Sequence, residues 1–259
     1  MAGTRQSDTR SPLKQDPLRL PGQSLSEHRS DIVDGELLPL FLAVGFAVVY
    51  AGIEWWEWLS KTPPQPVVAT LIAVCVFAYA AYRFPKLRVR LRALQLGMQG
   101  EQVVGQFLDS HRGQDWHIFH DVQGSGFNVD HVIVSPKGIF AVETKTRSKP
   151  ARGEAKIQYD GAKVLVNGFE PDRDAVVQAR AARNWIRDLL FDTTAITYPV
   201  RGVVLFPGWF VESPKTGTRP DIWVLNEKAF IKFVENEPAV IKSEDVALAT
   251  ACLVNYMTK

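Results

Sequence analysis

Two runs without a charged residue, 37–53 (LLPLFLAVGFAVVYAGI) and 67–82 (VVATLIAVCVFAYAAY), constrain this 259-residue chain more than any other feature. Each comes close to the roughly 17–20 apolar residues that span the hydrocarbon core of a bilayer as a helix. Only Glu54, Glu57, Lys61 and Arg83 carry charge between residues 37 and 84. Trp55, Trp56 and Trp58 flank one end of the pair, and Tyr79, Tyr82 and Phe84 the other, as amphipathic rings do at membrane–water boundaries. The connection WWEWLSKTPPQP is short and Pro-rich, so the pattern predicts a transmembrane hairpin with helices at about 37–58 and 66–84. A buried helical pair of a soluble protein is the rival reading; the aromatic rim and the basic flank count against it.

The first 36 residues mix Arg5, Asp8, Arg10, Lys14, Asp16 and Arg19, with no apolar run near Met1. They are expected to form a polar, unstructured tail rather than a cleaved leader, so the anchor should stay attached. Arg83, Lys86, Arg88, Arg90 and Arg92 follow the second run without an acidic residue, whereas the connection holds two glutamates and one lysine. The excess of cations predicts a two-pass protein of the cell membrane with both termini cytoplasmic, its basic flank suited to anionic headgroups. A tethered hairpin also permits lateral association into a homo-oligomer. Two cysteines, Cys75 and Cys252, exclude a disulfide framework.

From Ala93 onward the chain holds 19 basic and 20 acidic residues, so any nucleic-acid binding must come from a local patch. Leu91, Leu94, Met98, Val103, Val104, Phe107 and Leu108 recur at helical intervals and predict a helix over roughly 86–110. Residues 116–122, 129–134 and 139–145 are β-branched and aromatic and read as strands. Strands near 156–159 and 163–166 flank the turn signal Asp160-Gly161. A helix from about Asp174 to Phe191 turns Val176, Val177, Ala181, Trp185, Ile186 and Leu189 inward, with Asp172 or Asp174 as its cap. Strands near 200–206 and 221–225 and helices near 226–235 and 243–257 complete an α/β (α+β) domain with a mixed sheet.

Ser135-Pro136-Lys137-Gly138 places Pro and Gly where a type I turn prefers them. If Ser135 faces Gly138, Val134 opposes Ile139, Val132 opposes Ala141 and Asp130 opposes Glu143, with Asn128 against Lys145. Two facing carboxylates repel, and a divalent cation would resolve the repulsion. Mg²⁺ accepts one or two carboxylates, with waters and phosphate oxygens for the rest; Lys145 beside it would orient a water or neutralise charge on phosphorus. From the pattern alone, an exposed cross-strand charged pair with Asp130 at a fraying end explains the same residues, and explains them more often.

The string Gly97-Met98-Gln99-Gly100-Glu101, then Asn128-Val129-Asp130-His131, then Gly138-Ile139-Phe140-Ala141-Val142-Glu143-Thr144-Lys145, resembles the NERD (nuclease-related) domain of the PD-(D/E)xK nuclease-like superfamily. Gly168, Pro171 and Gln178 continue the resemblance, which covers roughly residues 93–190. It implies an α-β-β-β-α-β core, dependence on Mg²⁺ or Mn²⁺, and DNA cleavage. It also implies Asp130 and Glu143 as metal ligands, with Lys145, Glu101 and Gln178 as catalytic residues. Family members often carry Asn after the lysine, where this chain has Thr146, and residues 192–259 lie outside the resemblance. The implied activity is that of a membrane-anchored DNA phosphodiester hydrolase; a fold that binds nucleic acid or scaffolds partners without turnover is the alternative.

Arg180, Arg183 and Arg187 form a basic stripe at i, i+3 and i+7, and Lys145, Arg147, Lys149, Arg152 and Lys156 a second basic run. Both are candidates for the DNA backbone, although such stripes are as often plain solvated faces. His131 is expected on the face opposite Asp130 as a structural residue, and His111, His117 and His120 lack the spacing of a zinc site. Gly124-Ser125-Gly126 reads as a turn before the Asp130 strand, not as a phosphate-binding loop.

Overall fold

The computed structural model describes residues 18–61, 65–113, 115–149, 156–171, 174–212 and 220–258. They divide into a helical unit, residues 22–103 with 146–148, and an α/β unit holding the remainder.

In the helical unit, α1 (Gln23–Ile32) passes through one π-helical turn (Val33–Leu37) into α2 (Leu38–Leu59). Helix α1 corrects the expectation of an unstructured tail to residue 36. Helix α3 (Pro66–Asp109) runs unbroken through Pro85, where a separate helix from about residue 86 was expected. Proline removes one backbone donor and crowds the carbonyl four residues back, here that of Ala81. Apolar neighbours on both sides nevertheless carry the helical period across it. The apolar windows of the two long helices are only 11% and 6% buried, so these are not core helices, and both are long and apolar enough to cross a membrane. Glu36 of the π-helical turn accepts from Arg83 and Arg90 of α3, each at 3.1 Å, and Trp55 Nε1 of α2 donates to Thr70 Oγ1 at 3.3 Å, so both ends of the hairpin are tied to α3. Farther along α3, Gly100 lies so close to Thr146 that a Cβ would fall 1.6 Å from Oγ1. The glycine of the Gly97–Glu101 string therefore permits the segment after Lys145 to pack against this helix.

The α/β unit is built on a five-stranded sheet of order β1-β2-β3-β6-β8. Strands β1 (His117–Gln123), β2 (Asn128–Ser135) and β3 (Gly138–Thr144) form an antiparallel meander, while β6 (Val200–Leu205) and β8 (Ile222–Leu225) continue it in parallel from β3. A second sheet of order β5-β4-β7 holds β4 (Lys156–Tyr159), β5 (Val164–Val166) and β7 (Phe210–Glu212). Helix α4 (Ala175–Thr194) crosses between β3 and β6, and α5 (Glu227–Glu235) and α6 (Ser243–Met257) end the chain. This is the expected mixed α/β architecture; β7, only three residues long, is the one strand among the described residues that no sequence pattern announced.

Helix α4 forms where its apolar residues repeat at helical spacing and where Asp174 accepts from Val176 N at 2.8 Å and Val177 N at 3.2 Å; of the two capping candidates, Asp172 lies outside the described residues. The cap contributes about 1 kcal/mol. One face of the main sheet packs Val132, Val134, Ile139 and Ala141 under Ala182, Ile186 and Leu190 of α4 and Leu253 of α6. The other face packs Ile133, Phe140 and Val142 against Val104, Leu108, Phe230 and Val234. Each residue sits on the face that the period-two pattern of β2 and β3 assigns it.

Candidate active site

The turn fixes the hairpin as the sequence predicts: Ser135 faces Gly138, Ser135 Oγ donates to Gly138 O at 3.0 Å, and the ladder continues through Val134–Ile139 and Val132–Ala141 to His131–Val142. There it stops, one step short of the expected Asp130–Glu143 and Asn128–Lys145 pairs. Asn128 pairs with Gln123 of β1 instead, and Lys145 N donates to Leu205 O at 2.8 Å.

Asp130 replaces the missing rung with its side chain. Its Oδ2 accepts from the backbone N–H of Thr144 at 2.6 Å, and the residue is 6% exposed. The interruption has a local cause. Phe119 and Val122 share one core cluster although three residues apart, and so do Val129 and Val132. Period-two alternation therefore resets between them on both strands, at Asp121, whose φ is 51°, and at Asp130. The reset is what lets Asp130 reach across to the end of β3.

Glu143 belongs to the face of β3 that α4 covers, since its parallel partner Val204 packs with Ala175, Val176 and Ala179 of α4. Lys145 Nζ donates to Glu143 Oε1 at 2.6 Å, with both side chains mostly shielded, at 22% and 12% exposure. The two carboxylates thus end at adjacent positions of β3, one on the Thr144 amide and one on the Lys145 ammonium. The repulsion expected of facing acids is met by an N–H and a cation of the chain itself.

Gln178 rises from the part of α4 above Glu143's face, and its Oε1 is buried without a hydrogen-bond partner. Buried acceptors in that condition are rare, and a bound ion or water is one way they are satisfied. Glu101 lies on α3, in the helical unit, at 7% exposure. Among the described residues, no three His, Cys, Asp or Glu side chains converge as an all-protein metal cage requires. Two shielded carboxylates fit Mg²⁺ or Mn²⁺ in the open mode, in which water and substrate oxygens complete the shell.

The basic residues are distributed differently from a free phosphate-binding stripe. Arg180 Nε lies 3.0 Å from Asp221 Oδ2, and Arg183 pairs with Asp221 Oδ1. Arg187 pairs with Asp188 at 2.9 Å. Lys149 Nζ donates to Gly208 O at 2.6 Å, Lys156 lies 3.4 Å from Glu212, and Arg147 is exposed; Arg152 falls outside the described residues.

A buried pair that the sequence did not announce lies on the neighbouring strands. His120 Nε2 faces Asp109 at 3.1 Å, and its Nδ1 meets His131 Nδ1 at 2.9 Å. A carboxylate only accepts, so neutral His120 carries its proton on Nε2 and accepts at Nδ1 from His131. Burial pushes both imidazoles below their usual value, His131 strongly; for His120, Asp109 works in the opposite direction and Arg112 with the burial. Below about pH 6.5 the unfolded chain takes up protons that the native pair refuses, so stability falls as pH falls. Thermal denaturation in detergent should show a lower melting temperature at pH 5 than at pH 7; an unchanged one would contradict the assignment.

An α/β domain that carries two acids and a lysine at the end of its central hairpin, beneath a covering helix, has the layout of a nuclease-like fold. Residues 96–207 match the family model of the nuclease-related domain, NERD. No curated protein and no solved structure matched the chain.

Proposed function

We propose that the NERD domain hydrolyses DNA phosphodiester bonds with Mg²⁺ or Mn²⁺ held by Asp130 and Glu143, and that α2 and α3 tether it to the cytoplasmic face of a membrane. The observation that carries the reading is the joint placement at the end of β3: Asp130 on the Thr144 amide and Lys145 on Glu143, both at 2.6 Å. The Thr144 N–H fixes the direction of the Asp130 carboxylate. Lys145 holds Glu143 and brings an ammonium to where negative charge builds on phosphorus. Gln178 offers a desolvated acceptor from the covering helix. A bound ion would polarise the phosphodiester and make a water nucleophilic at neutral pH. The test is cleavage of linear and circular DNA by the full chain in detergent, with Mg²⁺, Mn²⁺ or EDTA. Cleavage that ignores EDTA, or that persists in Glu143→Ala, rejects the reading; salt-sensitive binding without cleavage reassigns the domain to tethering.

DNA contact by α4 has its own test. Exposed ion pairs are worth only about 0–1 kcal/mol, so a phosphate can displace Asp221, yet that carboxylate also repels the backbone. Asp221→Asn releases Arg180 and Arg183 together. Binding should tighten several-fold, and the plot of log affinity against log salt should steepen by about one unit per phosphate gained. Unchanged affinity and slope would take α4 out of the DNA surface.

A further inference from the structure

We infer that the segment ahead of the membrane hairpin is a working part of the NERD domain, with Arg19 the residue that positions Asp130. Leu18–Pro21 belongs to the α/β unit although the whole hairpin intervenes in sequence. Arg19 Nε lies 2.6 Å from Asp121 Oδ2, and Asp121 is completely buried. Its other oxygen, Oδ1, accepts from Asn128 Nδ2 at 2.7 Å. Turned so that its oxygen faces Arg19, the Gln123 amide accepts from both Nη atoms at 3.1 and 3.2 Å. Two residues on, Pro21 packs against Gly105 so closely that a Cβ there would meet Pro21 Cγ at 2.4 Å. The segment is thus fixed at two points.

What Arg19 holds is the interruption that frees Asp130. His120 pairs with His131 and Val122 with Val129, so Asp121 occupies the step facing Asp130, and its left-handed φ of 51° accompanies the reset of alternation. Aspartate enters this region more readily than most residues, yet inside a strand the conformation breaks the ladder and persists only where its surroundings favour it. Here they do so through a buried carboxylate bound to a guanidinium and an amide.

The inference rests on the metal-site reading for its catalytic meaning, and on hydrogen bonds alone for its structural content, so the two are measured separately. Hydrogen exchange on the full chain reads the Thr144 amide, which Asp130 holds. Arg19→Gln should speed its exchange at least tenfold relative to amides of β8, and Arg19→Gln with Asp121→Asn should restore most of the protection. Lys163→Gln, which breaks an exposed pair with Glu170, is the control and should change nothing. In parallel, the apparent Kd for Mn²⁺ should weaken several-fold in Arg19→Gln and recover in the double variant. If Arg19→Gln does not fold, Arg19→Lys keeps the charge without the planar fork and should show the same change at smaller size. Unaltered Thr144 exchange in a folded Arg19 variant overturns the inference. Altered exchange with no Mn²⁺ binding by the parent chain overturns the metal reading alone.

Discussion

Replacing Lys145 by alanine should reduce DNA cleavage about thousandfold while leaving the domain folded and its Mn²⁺ affinity equal or slightly tighter. The split follows from what the ammonium touches. Lys145 donates to Glu143 at 2.6 Å and competes with a cation for that carboxylate, so its removal favours ion binding. On the proposed reading it also removes a positive side chain placed to meet charge on phosphorus, and preorganised charge of that kind is worth several kcal/mol in a shielded site. Single-turnover cleavage together with calorimetric titration of Mn²⁺ measures both halves. Cleavage within tenfold of the parent would leave Lys145 a structural partner of Glu143 and no more.

The largest expected loss of stability comes from a residue with no chemistry. Gly202 of β6 lies beneath α4, where an added Cβ would stand 2.7 Å from the Ala179 carbonyl oxygen and 2.6 Å from Ile222 Cδ1. The first obstacle is helix backbone and cannot swing aside, so Gly202→Ala must lift α4 from the sheet or bend β6. A cost of about 2–3 kcal/mol follows, at the upper end of ordinary overpacking. Urea denaturation of the full chain in detergent would show it as a lower midpoint. A change below about 0.5 kcal/mol would mean that α4 rides more loosely on the sheet than the contacts indicate.

How much of this was legible beforehand differs from residue to residue. The central hairpin was, because Ser135-Pro136-Lys137-Gly138 is a turn whose chemistry sets register, and register sets faces. The α4 helix and its Asp174 cap were, but its inward face is turned from the expected one: Val177 and Ala181 are exposed, and Ala175, Ala179 and Ala182 are buried in their place, because small alanines pack against the sheet as readily as the larger apolar residues. Pro85 misled, since a proline rule that is local in sequence yields to the helical pattern on both its flanks. The pairing of Arg180 and Arg183 with Asp221 was hidden for another reason: partners some 40 positions apart meet only through tertiary folding, and no stripe of arginines says whether its counter-ion is solvent, phosphate or carboxylate. The same holds for Arg19 and Asp121, 102 residues apart. The reset of alternation at Asp121 left no mark either, because Asp and His are compatible with either face of a strand.

Each acid of the central hairpin has a bond of its own, to the Thr144 amide and to the Lys145 ammonium. Small metal-folded domains, by contrast, assemble only once their ion arrives. In this protein the two acids are already held by its own backbone and side chains, so if the proposed metal chemistry is right a chelator should silence the site without melting it, and readmitted manganese should restore activity at once, with no refolding in between.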